Sequence, residues 1–286
     1  MEFKEYALMI RETKKLKKEF KKRGIPFVDR HTHSISKFTR SFNLPRRILW
    51  GKPPVKGPSL QIVDFASKAD FDEIAITDHS YEIFLFPEIE EKTKLQKKYG
   101  EYTFDKYVEY IEAVKKKYSN LTVLGGIELK LRDINDLKFV NPNKLSKLDF
   151  ILIETMIKKL DFKIIRKKLG EKIPIGLAHP DPRYSLEENY TRKDIFEWVN
   201  SMVNNNVYFE INRQFLDRFL SNDFLYRDFF KIATEKRLLF SIGTDYHGFV
   251  GNYPKFFTKI LEVITKYNLT KDNFWRFKNY LEKNAK

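Results

Sequence analysis

Seven short runs of nearly continuous hydrophobicity punctuate the chain: IPFVD (25–29), DEIAIT (72–77), LTVLGGIEL (121–129), LDFILIE (148–154), IPIGLA (173–178), VYFEI (207–211) and LLFSIG (238–243). Each is rich in Ile, Val and Phe and shows little alternation, which is how strands buried on both faces read. Between them apolar positions recur at helical spacing behind start signals. Ser59 precedes LQIVDFASKA, Thr103 precedes FDKYVEYIEAVKKK, Thr191 precedes RKDIFEWVNSMV and Asn222 precedes DFLYRDFFKIATEK. Strands that alternate with helices predict a parallel α/β fold, closed or nearly closed as a (β/α)7 barrel, with an open doubly wound sheet as the competitor. No glycine- or proline-rich linker and no internal repeat divides the pattern. A single domain over residues 1–286 is expected, with a helix over 1–24, the barrel over 25–250 and C-terminal helices over 251–286.

Composition adds limits to this picture. Hydrophobic residues make up 42% of the 286, including 26 Phe and 15 Tyr, enough to fill one barrel core. No window approaches a membrane span, and the charged N-terminus is unlike a signal peptide. There is no cysteine, which excludes disulfides and thiolate chemistry and makes a cytoplasmic setting the expectation. Any metal must then be held by His, Asp or Glu.

The formal charge of +15 is unevenly spread. Residues 1–24 hold nine Lys/Arg against four Glu, and residues 34–63 hold six Lys/Arg with no acid. Such segments favour anionic ligands, either a phosphorylated metabolite or a nucleic acid. For the first segment a solvated face is the better reading, because Phe3, Tyr6, Met9, Ile10, Leu16 and Phe20 form an apolar stripe at helical spacing.

In parallel α/β folds chemistry gathers at the carboxyl ends of strands, and the five histidines fall there. His31 and His33 follow the first strand, His79 the second, His179 the fifth and His247 the seventh. Glu128 ends the third strand, Glu210 the sixth, and Asp245 lies two residues before His247. Histidine with carboxylates and no cysteine is the ligand set of hydrolytic Zn, Mn or Fe centres. Asp29 and Asp78 are expected to orient loops or ligand rings. Glu210 is either a buried structural acid or a partner of a ligand ring.

The order HTH, TDH, GIEL, AHPD, EIN, GTDYH resembles the PHP family, named for polymerase and histidinol phosphatase, from about residue 25 to 250. The resemblance implies a distorted (β/α)7 TIM-like barrel with two or three divalent metal ions (Zn, Mn or Fe) at the C-terminal ends of the strands. It also implies a stand-alone phosphatase of the histidinol-phosphatase type, a phosphomonoesterase that acts on a small phosphorylated metabolite through metal-activated water. Carried over by position, His31, His33, Glu128 and Asp245 hold the first metal. Glu128 bridges to a second that adds His179. The family's further histidine aligns with Met156, and Glu154, two residues earlier on the same strand face, is the expected replacement. His79 and His247 belong to a third position, whose usual additional ligand is missing from SISKFTR. Asp245 and His247 are also candidates to assist catalysis.

Phosphate binding calls for fixed cations, and the arginine fork suits it best. Arg183 in HPDPRY and Arg213 in EINRQF lie just beyond metal-bearing strands. Residues 34–57 form a long acid-free connection that leaves the ligand pair, as lids and binding loops do. There Arg46 or Arg47 is expected to reach an anion, with Arg40, Phe42, Leu44 and Trp50 nearby. Two other readings use the same residues: a nucleic-acid phosphodiesterase or exonuclease, and a metal-poor binding or scaffold relative. The retention of all four first-position ligands weighs against the last. The sequence sets neither the substrate nor the oligomeric state.

Overall fold

The computed structural model describes residues 3–34, 60–80, 104–131, 133–155, 157–158, 160–186, 189–247 and 250–277. Its strands are β1 (Val28–His33), β2 (Glu73–Ile76), β3 (Thr122–Leu131), β4 (Phe150–Thr155), β5 (Ile175–Leu177), β6 (Val207–Asn212), β7 (Phe240–Gly243) and β8 (Tyr246–His247). All pair in parallel, in the order β7-β6-β5-β4-β3-β2-β1-β8. The two ends of that order, β7 and β8, are separated in the chain only by Thr244 and Asp245. The sheet must therefore curl into a ring. It is sealed where the Asp245 N–H donates to the His31 carbonyl at 2.7 Å and Thr32 pairs with Tyr246. This is the expected (β/α)7 barrel, distorted because its seventh strand is broken into β7 and β8, and the open doubly wound sheet is excluded.

The helices are α1 (Phe3–Lys22), α2 (Gln61–Lys68), α3 (Phe104–Lys117), α4 (Pro142–Leu145), α5 (Phe162–Leu169), α6 (Pro182–Ser185), α7 (Arg192–Asn204), α8 (Leu216–Leu220), α9 (Phe224–Glu235) and α10 (Tyr253–Lys266). The stripe predicted on α1 faces the body: Phe20 is buried, and Tyr6, Met9, Ile10 and Leu16 pack half-buried against the core. Phe20 packs edge-on against Phe27 and Phe257 at 5.1 and 5.5 Å, while Lys14, Lys18 and Lys21 stay in water. Thr191 caps α7 through a reciprocal box with Asp194. Asn222 does not cap α9; Asp223 does, accepting from the Leu225 N–H, and its charge also suits the helix N-terminus. Ser59 and Thr103 lie outside the described residues. No described helix is long and apolar enough to cross a membrane.

The histidine pair sits inside β1 rather than after it, and the strand is irregular there. Asp29 is in register with Ile74 and Thr32 with Ile76, so β1 carries one residue more than β2 over this stretch. Such a bulge switches the face that side chains take. It allows Arg30 and His33, an odd number of residues apart, both to enter the barrel. Arg30 points to the floor, where its guanidinium pairs with Glu73, donates to the Trp275 carbonyl at 2.7 Å and lies 4.6 Å from the Trp275 ring. Trp275 in turn stacks on Tyr208 at 4.7 Å and donates its backbone N–H to the Phe240 carbonyl. A Cβ at Gly176 would come within 2.1 Å of the Tyr208 ring, so only glycine leaves room for this aromatic floor. With the N-terminal end filled, the mouth is left for chemistry.

Candidate metal centre

Four donor atoms from three parts of the ring converge at the mouth. His31 Nε2 and His33 Nε2 are 3.1 Å apart. His33 Nε2 lies 3.1 Å from Asp245 Oδ1 and 3.4 Å from Glu128 Oε2, and His31 Nε2 lies 3.7 Å from each of those oxygens. Bonds of about 2.0–2.1 Å to a tetrahedral ion require ligand atoms roughly 3.3 Å apart, the middle of this range. Glu128 Oε2 and Asp245 Oδ1 are buried, and what faces them is not a backbone or hydroxyl donor but imidazole nitrogens. Buried oxygens left this way point to a cation at their centre. The residues fit a divalent metal.

Glu128 joins this group to others. Its Oε1 is 2.8 Å from His179 Nε2, and its Oε2 is 2.5 Å from His79 Nδ1. Glu154 lies in ligand range of His79 and Glu128, with its buried Oε2 free of hydrogen bonds and its Oε1 paired with Lys130 at 2.9 Å. His33, His79 and His247 form a further group, and the part of SISKFTR beyond Ser34 lies outside the described residues. His247 Nε2 is 2.9 Å from Asp245 Oδ1. All eight candidate ligands therefore meet at one end of the barrel. Met156 lies outside the described residues.

The electrostatics match the geometry. Burial alone would neutralise Glu128, but His79 and His31 beside it outweigh that and hold its carboxyl well below the usual range. Burial is likewise overcome at Asp245, by contacts from His247 and His33. Burial, reinforced by the neighbouring His79 and His247, pushes His33 well down. Burial also opposes protonation of His31, yet Glu210 and Glu128 hold its imidazole well above the ordinary value. The mouth thus presents ionised carboxylates beside an unprotonated His33, the forms that bind metal, while His31 would release its Nε2 proton as an ion enters.

Side chains behind the cluster fix it. Glu210 contacts His31 Nδ1. Asp29 accepts from the Thr244 N–H, the Thr244 hydroxyl, the Tyr253 hydroxyl and the His31 N–H, anchoring the turn before Asp245 to β1. Asp78 accepts from both the N–H and the hydroxyl of Ser34, tying the end of β1 to the His79 segment. Gln214 donates to Asp245 Oδ2 at 2.5 Å, a role not foreseen from the sequence, and Lys130 was likewise missed. Both look like ordinary polar residues in sequence; only their places one turn past β6 and two residues past Glu128 hint otherwise.

The arginines divide. Arg213 sits exposed beside the Asp245 turn, donating to the Thr244 carbonyl at 3.0 Å with its guanidinium 5.1 Å from the Tyr246 ring. Arg183 pairs with Asp223 and lines an open cleft of about 460 Å³ with Tyr184, Arg218 and Tyr226, none of them a candidate ligand. Arg46 and Arg47 lie outside the described residues.

No family model matches the chain, and no curated protein does. Solved structures do match. Histidinol phosphatases are among them. The histidinol phosphate phosphatase of Lactococcus lactis, crystallised with zinc, L-histidinol and phosphate, matches at 15% identity and TM-score 0.49, over 88% of this chain and 99% of that one. A candidate histidinol phosphatase from Listeria monocytogenes matches at 14% identity and TM-score 0.44, over 77% and 95%. A chain from archaeal ribonuclease P with mature tRNA matches at 17% identity and TM-score 0.40, over 77% and 88%. These likenesses are distant, and the chemistry of the site follows from its own atoms.

Proposed function

We propose that this chain is a metal-dependent phosphoric ester hydrolase, a phosphomonoesterase of the histidinol-phosphatase type that acts on a small phosphorylated metabolite. The observation that carries the reading is the convergence of His31, His33, Glu128 and Asp245 at tetrahedral spacing, with two buried carboxylate oxygens facing imidazole nitrogens. These four would hold one divalent ion, Zn, Mn or Fe. Glu128, with His179 on its other oxygen and Glu154 nearby, would hold a second, and His79 with His247 would contribute to a third. Bound there, such ions supply Lewis-acid polarisation of a phosphoryl oxygen and an activated water.

The chain's own groups supply the remainder. Lys130 and Arg213 stand at the mouth and can offset the charge of a phosphoryl group, with Arg46 and Arg47 as further candidates on the segment after β1. Arg183, held by Asp223, is the weaker candidate. Where His247 does not ligate an ion, its Nε2, 2.9 Å from Asp245 Oδ1, could hold a proton for the departing oxygen.

The test is metal analysis of the purified protein, followed by assays on phosphomonoesters and on oligonucleotides with Mn, Zn and Fe. Expected are at least one bound ion per chain, activity on a small ester, and loss of both in His33→Ala. Metal-free protein with activity untouched by His33→Ala would sink the proposal. Hydrolysis confined to oligonucleotides would replace it with a nuclease.

A further inference from the structure

Glu210 belongs to β6 and is buried. Three donors from three different places converge on its two oxygens. His31 Nδ1 lies 2.9 and 3.1 Å from Oε1 and Oε2. The His179 N–H donates to Oε2 at 2.5 Å, and the Asn212 amide donates to it at 3.1 Å. His31 is on β1 and His179 follows β5, so this one side chain spans from one neighbour of β6 across β7 to the strand beyond.

The crossing is built into β7. A Cβ at Gly243 would lie 1.8 Å from Glu210 Oε1 and 2.5 Å from the His31 Cβ. Only a residue without a side chain lets the pair meet there. Each contact also has a consequence at the cluster. With Nδ1–H given to Glu210, His31 directs only Nε2 toward Glu128 and Asp245. With its N–H pinned, His179 keeps a φ of +32°, rarely taken by residues other than glycine, and its Nε2 reaches Glu128 Oε1 at 2.8 Å.

We infer that Glu210 is a positioning residue that sets the His31 ring and the His179 backbone together, so that the groups on both sides of Glu128 are completed as a unit. The inference rests on the metal reading above. Glutamine cannot take the role, because it has a single accepting oxygen and would turn an N–H₂ toward a donor.

The test combines zinc titration by calorimetry with ¹⁵N-edited spectra of the histidine rings, in the full chain. Loss of such a partner typically weakens metal binding 10- to 100-fold. Glu210→Gln and Gly243→Ala are expected to weaken both zinc-binding steps by about that factor. Gln214→Ala, which removes the amide that donates to Asp245 and keeps the backbone N–H on Asn212, should weaken one step. In the unaltered protein His31 should carry an Nδ1-bound proton both without metal and with zinc, and the two variants should lose it. That measurement on the unaltered chain decides the matter even if a variant fails to fold, since His31 lacking the proton overturns the inference. Two tightly bound zinc ions whose affinity is unchanged in both variants also overturn it and leave the metal reading intact. A chain that binds no zinc yet keeps the Nδ1 proton would sink the metal reading and leave the positioning of His31 standing.

Discussion

At Asp245 the backbone adopts a φ of +56°, a conformation that costs about 1–3 kcal/mol for most residues and persists only when surroundings impose it. Those surroundings are specific: its N–H is held by His31, its Oδ2 by Gln214, and the preceding threonine by Asp29. The strain aims Oδ1 at His33. Asparagine tolerates the same φ and keeps an oxygen for Gln214, so Asp245→Asn separates shape from charge. Expected is a folded protein, with a melting temperature within a few degrees of the parent, whose zinc affinity falls at least tenfold. A melting curve and a zinc titration check the two halves. A variant that binds zinc as the parent does would show that the carboxylate is not a ligand.

The elements show what the pattern of residues could reveal and what it could not. The strand runs were legible because strands buried on both faces leave an unbroken apolar signal, and β2 to β7 fall within those runs or within two residues of them. The candidate ligands were legible because imidazoles at strand ends have few other reasons to cluster. The bulge in β1 was not, since nothing in FVDRHTHS marks an extra residue; it becomes visible only when Arg30 is found in the floor and His33 at the mouth. Gln214, Lys130 and the span of Glu210 across Gly243 were hidden for the same reason, because curvature of the sheet and not sequence separation brings them to their partners. Local capping is written closer to the surface of the sequence: Thr191 and Asp194 close their box within four residues, although at α9 the cap is Asp223 and not its neighbour Asn222. Thr191→Ala should cost about 1 kcal/mol in a denaturant melt. Activity should be unchanged, because α7 contributes no donor to the cluster.

On the scale of the whole molecule, the barrel is closed at one end by packing and left polar at the other. The floor depends on Trp275, which fills the ring between Phe150 and Tyr208 and accepts the Arg30 guanidinium over its face. Truncation to alanine should cost about 3–5 kcal/mol. Part of that cost falls on Arg30, left buried with fewer contacts. The mouth has the opposite character, since its buried carboxylate oxygens face histidine rings rather than backbone or hydroxyl donors, and a bound cation would stabilise them further. Folding and metal binding are then linked, and metal removal should be visible in the melt. At a hundredfold excess over Kd a ligand confined to the native state adds about 2.7 kcal/mol. For a chain of this size that corresponds to a rise in Tm of roughly 4–5 °C. Chelator-treated protein should melt lower by about that amount, recover on titration with zinc or manganese in a concentration-dependent way, and lose the response in His33→Ala. A Tm indifferent to chelator and to added metal would mean that the four converging atoms are satisfied without an ion, and the hydrolase reading would fall with it.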